Sequence, residues 1–264
     1  VQVEPLTVQD FPCSTTEEFT ALFQKMVQET PDQIYYHPYT GLFQEAVEAD
    51  GLSQGRKLYT YIPEETGHCA SSVFVALPSG EKAEEFLVSS GWTAVADQYK
   101  FLLHALTPAD SQWGGEEELD YLSAAFALGS KTIRYSPYTG NYYFVGYADG
   151  GRLLEQWVMA NPDNCSGLAV LDGGAIDEAY LIQMGQTPAV DPEKTVNEVN
   201  VPVWLIEKEI TDGVQAVADY WKGANDCTET AYINQDVPLE TTVYQQNMLS
   251  HDTFINAYPL GKVQ

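Results

Sequence analysis

The chain has 264 residues, 38 of them acidic against 12 basic, for a formal net charge of −26. With no basic stripe to neutralise phosphates, nucleic acid and anionic membrane surfaces are excluded as partners. No segment approaches the roughly 20 apolar residues of a membrane-spanning helix, and a hydrophobic content of 44% with 17 Tyr and 5 Trp excludes a disordered chain.

Such a length holds one large domain or two small ones. The start, Val1-Gln2-Val3-Glu4-Pro5, has neither a charged n-region nor an apolar h-region, so any signal peptide is expected to have been removed. Cys13, Cys69, Cys165 and Cys227 are scattered without Cys-x-x-Cys spacing. No zinc site follows from them, and no other metal or organic cofactor is indicated. They allow one or two disulfides, and Asn164-Cys165-Ser166 is formally a glycosylation sequon. The acidic composition leans towards an exported protein.

In chain order, the first 55 residues read as helix and loop. Ser14-Thr15-Thr16-Glu17 resembles a capping box, with Phe19, Leu22, Phe23, Met26 and Val27 at helical spacing behind it and Pro31 as the stop. From residue 56 strands alternate with helices. Residues 57–63 alternate in polarity, whereas Ser72 to Leu77 is continuously apolar, as in a strand buried on both faces. A helix over 81–90 follows, then Trp92 to Tyr99, and another buried run from Phe101 to Leu106. Helical periodicity spans 116–128. Tyr142 to Gly146 reads as a strand that runs into glycines and a helix over 152–160. Strands are expected at 168–171 and 201–206, with a helix at 214–223 and a further strand at 241–245. Apolar strands separated by helices imply right-handed crossovers and a mainly parallel sheet with helices on both faces. The fold class is α/β.

The sharpest feature is Gly146-Tyr147-Ala148-Asp149-Gly150-Gly151, between a strand and a helix. Its small residues suit a nucleophile elbow, G-x-S-x-G, whose central residue is held in a strained turn with strand and helix packed close around it. Alanine is at the centre. Ala148 has no oxygen with which to attack a carbonyl, so no acyl-enzyme is expected. A dinucleotide fingerprint fits worse, because the glycines do not form G-x-G-x-x-G after the first strand.

In this order of elements the chain resembles the α/β-hydrolase superfamily, in particular its polyhydroxybutyrate-depolymerase and feruloyl-esterase-like group. The resemblance runs from about residue 57 to 227. It rests on Leu58 to Pro63, Ser90-Gly91-Trp92 and Ala96-Asp97 before Phe101 to Leu106, and the elbow. It continues through Leu171-Asp172-Gly173-Gly174, Val201-Pro202-Val203-Trp204 and Asp219 to Asn225. The resemblance implies an N-terminal helical and loop extension over 1–55 and an α/β-hydrolase domain over 56–264. It implies a serine carboxylic-ester hydrolase scaffold with a small or polymeric ester as substrate.

Carried over residue by residue, the family's nucleophile falls on Ala148 and the first oxyanion donor on the amide of Asp149. The second donor would come from Ser79 or Gly80, because Pro78, where the family usually has His-Gly, offers no N–H. The acid should follow the strand at 201–206. Asp212 is the nearest aspartate, one residue beyond the expected place, with Glu207, Glu209 and Asp172 as alternatives. Of the four histidines only His251 follows the acid. Substrate would enter near Trp113, Tyr147 and Trp204. Residues 225–264 lose the strand–helix rhythm, as at a sheet edge or the start of another module, and the final helix the resemblance implies is not found, which points to an incomplete C-terminus or to a remainder on a second polypeptide. Two readings result: an esterase whose nucleophile has been replaced, and a natural non-catalytic binding or structural module.

Overall fold

The two continuously apolar runs form strands in which every residue is buried. They are β4 (Ser72–Ala76) and β5 (Leu102–Leu106), which pair in parallel. The computed structural model describes residues 4–13, 15–33, 35–67, 70–115, 117–131, 141–234, 240–246 and 252–257. The chain divides into two units, Val1–Tyr142 and Tyr143–Gln264.

In the first unit β1 (Val8–Asp10) pairs in parallel with β2 (Gly41–Ala46), and β2 runs antiparallel to β3 (Lys57–Ile62). β3 lies antiparallel to β5, which carries β4 on its other side. The first 55 residues are therefore more than helix and loop, because two of their segments are strands joined to β3. Helix α1 (Thr16–Glu29) opens on a capping box formed by Thr15 and Glu18, one residue later than expected. Ser14 lies outside the described residues. Helices α2 (Ala83–Ser89) and α3 (Trp92–Tyr99) precede β5, and α4 (Glu118–Lys131) follows it.

The start of α4 is bound to the start of β3 through Arg56, which is only 3% exposed. Its guanidinium lies 3.6 Å from the centre of the Tyr121 ring and donates to Glu118 at 2.7 Å, to Glu117 at 3.3 Å and to the Thr107 carbonyl at 3.2 Å. Glu117 in turn accepts the Ser53 amide and hydroxyl at 2.7 and 2.6 Å. A buried cation is tolerable here because two carboxylates, a carbonyl and an aromatic face replace its water. Nearby, His104 on β5 stacks on Phe74 at 4.4 Å and its Nδ1 is 2.9 Å from the Thr60 hydroxyl. Burial, and to a lesser extent His37, lower its pKa to about 3, so it stays neutral within the core.

The second unit begins in β6 (Tyr142–Tyr147), which leads directly into α5 (Ala148–Ala160). Strands β7 (Gly167–Leu171), β8 (Val203–Glu207) and β11 (Asp252–Ala257) continue a parallel array. Strands β10 (Glu240–Gln246) and β9 (Cys227–Asn234) extend it antiparallel, in the order β6-β7-β8-β11-β10-β9. The C-terminal loss of helical rhythm is thus a change to strands. Helices α6 (Glu178–Met184) and α7 (Asp212–Ala224) complete the unit. Among the described residues no helix is long and apolar enough to cross a membrane.

Helix α7 buries Val214, Val217, Ala218, Trp221 and Ala224, a stripe at helical spacing. Asn225, fully buried after its last turn, accepts the Val201 amide at 2.8 Å and donates to the Val201 carbonyl at 2.7 Å. That two-bond clamp fixes the end of the helix against the approach to β8.

The Trp221 indole N–H donates at 2.7 Å to Glu155, a carboxyl 1% exposed on α5. Burial raises the Glu155 pKa to about 8; the negative charge of Glu207 adds to the rise and the indole opposes it. The fold therefore favours the protonated acid. Stability from this group is fully present below the ordinary carboxylate range and is lost as pH rises towards and through 8, by about 1 kcal/mol per unit. The melting temperature is expected to fall between pH 5 and 9, and Glu155→Gln should flatten that slope. Calorimetry of both proteins across the range provides the check, with an unchanged slope in the variant refuting the assignment.

Candidate active site

At the end of β6, Ala148 adopts φ +49°, a left-handed conformation that side chains with a Cβ rarely take up. The turn is possible because strand and helix touch backbone to backbone. A Cβ on Gly146 would lie 2.4 Å from the Gly151 Cα, and one on Gly151 would lie 2.8 Å from the Gly146 carbonyl carbon. Val170 of β7 packs 3.3 Å from the same Gly151 position, so the neighbouring strand closes the third side. A strained residue between two such glycines is the geometry of a nucleophile elbow.

Ala148 and Asp149 open α5, and the first-turn amides of a helix have no acceptor within the helix. The Asp149 amide thus belongs to the donors at a positive helix end. Its carboxylate accepts the Gly150 amide at 3.0 Å, which turns the side chain back onto the helix start. Tyr147 is the N-cap of α5 and gives no side-chain cap.

The strand ends beside the elbow carry carboxylates. Register aligns Tyr147 with Leu171, Leu171 with Ile206 and Ile206 with Asn256. Just beyond lie Asp172, at φ +59°, and Glu207. Glu207 is buried and accepts the Gly174 amide at 3.1 Å. Burial raises its pKa, the Gly174 amide opposes the rise, and Asp172 adds to it. Asp172 is in turn hydrogen-bonded to Lys208, whose pKa that contact raises. Asp212 lies in a different setting. It is the first residue of α7, exposed, while Thr211 before it accepts the Val214 amide at 3.3 Å as N-cap. Its negative charge there suits the helix dipole. Glu207 was legible only as a neighbouring alternative, since the amide it accepts, that of Gly174, is 33 residues away.

His251 lies outside the described residues. The strand that follows it, β11, pairs Thr253 with Val203 and Ala257 with Glu207, so this segment reaches the elbow's edge of the sheet only at Asn256 and Ala257. No histidine occurs among residues 258–264.

Of the other expected residues, Ser79, Gly80 and Trp113 lie in the first unit and Trp204 in the second. The Gly80 amide donates to the Ser111 carbonyl at 2.7 Å, which withdraws it from the candidate oxyanion donors. Trp113 donates its indole N–H to the Leu77 carbonyl at 2.7 Å and its amide to the Ser79 hydroxyl at 3.0 Å. Trp113 therefore holds the 77–80 loop in place. Trp204, 45% exposed, aligns with Ala169 and Val145 and with them lines a shallow apolar groove of about 290 Å³ across the strands. Among the described residues no group of three or more His, Cys, Asp or Glu side chains could hold a metal ion.

The elbow's dependence on close backbone approach is testable. Gly146→Ala is expected to destabilise the protein by about 3 kcal/mol or more, because the atoms it meets are backbone and cannot rotate away. Ala148→Gly should cost nothing or stabilise slightly, since it relieves a positive φ. Urea denaturation of both variants tests the pair; an inert Gly146→Ala would refute the close contact.

No protein-family model matches the sequence, and no curated protein matches it. Solved structures do. An acetyl xylan esterase from Aspergillus awamori superposes with a TM-score of 0.59 at 12% identity, covering 82% of this chain and 93% of that one. The fluorophosphonate-binding serine hydrolase F of Staphylococcus aureus gives 0.50 at 10% identity, covering 68% and 83%. An S-formylglutathione hydrolase from the same organism gives 0.50 at 9%, covering 68% and 81%. Identities this low establish fold and nothing finer. With a parallel sheet, helices and a strained elbow at the end of β6, the chain has the α/β-hydrolase fold.

Proposed function

We propose that this chain is a serine carboxylic-ester hydrolase scaffold that does not acylate, with Ala148 in the nucleophile's place. The observation that carries this reading is Ala148 at φ +49° between closely apposed Gly146 and Gly151. That arrangement costs backbone strain and yields a side chain presented at a strand end, which suits attack on a bound carbonyl. In the corresponding active form, a serine hydroxyl at 148 would attack the ester carbon while a histidine took its proton. The Asp149 amide would receive charge on the developing oxyanion. The Ala148 methyl has no lone pair, so the sequence of steps stops at substrate binding. The ester enters above the carboxyl ends of β6 and β7. The names of the similar structures, an acetyl xylan esterase among them, support an ester as the ligand class. We also place the protein outside the cytoplasm, on its acidic composition and its single Asn-x-Ser sequence.

A second reading, a natural binding or structural module, has specific support. Thr211 caps α7, Glu207 accepts the Gly174 amide, and the Gly80 amide is bonded to Ser111. Glu207 and the Gly80 amide are thereby engaged in structure, and a threonine rather than a carboxylate stands just before Asp212. Ala148→Ser distinguishes the two. On the first reading the variant reacts covalently with a fluorophosphonate probe and hydrolyses p-nitrophenyl acetate at least tenfold faster than the parent. On the second it folds with an unchanged melting temperature and takes up no label. Labelling of the unsubstituted chain at the elbow would overturn both.

A further inference from the structure

We propose that Asn164 is a site of N-linked glycosylation. Asn164-Cys165-Ser166 is the only Asn-x-Ser/Thr sequence in the chain, and the folded protein accommodates a glycan at this sequence only if the asparagine stands on an accessible surface turn. Asn164 meets that need. It is exposed, the last residue of the single 3-10 turn Pro162–Asn164 between α5 and β7, and its amide N–H donates to the Asn161 carbonyl at 3.1 Å. Among the described residues its carboxamide has no hydrogen-bond partner, so a sugar attached there breaks no internal contact. The preceding Asp163 is turned aside, accepting the Val190 amide at 3.3 Å. Neither α5 nor β7 has to open to accommodate a glycan.

Asn225 provides the contrast. Asn225-Asp226-Cys227 is the thiol form of the same pattern, yet Asn225 is fully buried with both carboxamide atoms bonded to Val201. Modification there would break the clamp on α7. The middle residue of the Asn164 sequence, Cys165, is a free thiol, and burial pushes its pKa up to about 12. No disulfide ties the tripeptide down. In the reaction the Asn164 carboxamide nitrogen attacks the anomeric carbon of a lipid-linked oligosaccharide. The N–C bond forms, the C–O bond to the lipid pyrophosphate breaks, and the amide proton passes to the transferase's base. Nothing is oxidised or reduced.

This inference is independent of the esterase reading. For the test, the full chain is directed into the endoplasmic reticulum of a eukaryotic host behind a cleavable signal. Expected is one upward gel shift, collapsed by peptide-N-glycosidase, abolished by Asn164→Gln and by Ser166→Ala, and retained by Ser166→Thr. Transfer precedes folding, so retained and secreted chains report equally. A chain whose signal has been cleaved but which runs unshifted overturns the proposal, as does a shift that survives Asn164→Gln.

Discussion

The second unit is organised around the contact of two glycines. Gly146 ends a buried strand and Gly151 sits in the first turns of α5, with backbone atoms so close that no side chain fits on either residue. This approach sets how sharply the chain turns, and the turn forces Ala148 to φ +49°. It also draws α5 onto Val170 of β7, where Gly173 repeats the device with a would-be Cβ 2.5 Å from the same valine. The strain at Ala148 is thus offset by packing that extends over two strands and a helix. Packing of that kind is what allows a strained conformation to persist.

Buried ionisable groups are handled in two opposite ways. Arg56 remains charged, because Glu117, Glu118, the Thr107 carbonyl and the Tyr121 ring supply what water would have supplied. Glu155 has one indole N–H and a neighbouring carboxylate of like sign, so its charge is the component that gives way. The difference follows from partner count and sign: an arginine cannot discharge, whereas a carboxylic acid can by taking up a proton. In each case the polar group ties a helix to an element distant in sequence, and its solvation decides which protonation state the fold supports.

What could be read from the sequence was what is local. The elbow is written in six consecutive residues, and the buried strands β4 and β5 in two apolar runs. The capping box was misplaced by one residue because Ser14 and Thr15 are both followed, three positions later, by a glutamate. α3 has the bounds read for it, Trp92 to Tyr99, but it starts behind Gly91 with no side-chain cap, so its helical character carried no capping signal. β1 and β2 are short, and Leu42 and Phe43 are adjacent rather than alternating, which leaves no period-2 signal. Glu155 lies in a helix found by its periodicity, yet its burial depends on Trp221, 66 residues away. The site was legible as far as the elbow. The carboxylates around it were not ranked, because the burial and hydrogen bonding that set Glu207 apart from Asp212 are not visible in spacing.

The distribution of these groups separates what the elbow contributes to the fold from what acyl transfer would ask of it. A nucleophile elbow has two functions, one chemical and one architectural, and only the chemical one needs an oxygen. Substituting alanine leaves the glycine contact, the helix start and the strand register as they are. Acid and oxyanion positions are constrained differently, since their polar groups must be satisfied whether or not substrate is turned over. In this chain Thr211 accepts the Val214 amide, Glu207 accepts the Gly174 amide, and the Gly80 amide donates to Ser111. Each such bond removes a cost of leaving a polar group unpaired and also lowers the benefit of restoring a partner. A polar group satisfied in this way stabilises the scaffold whatever side chain stands at position 148.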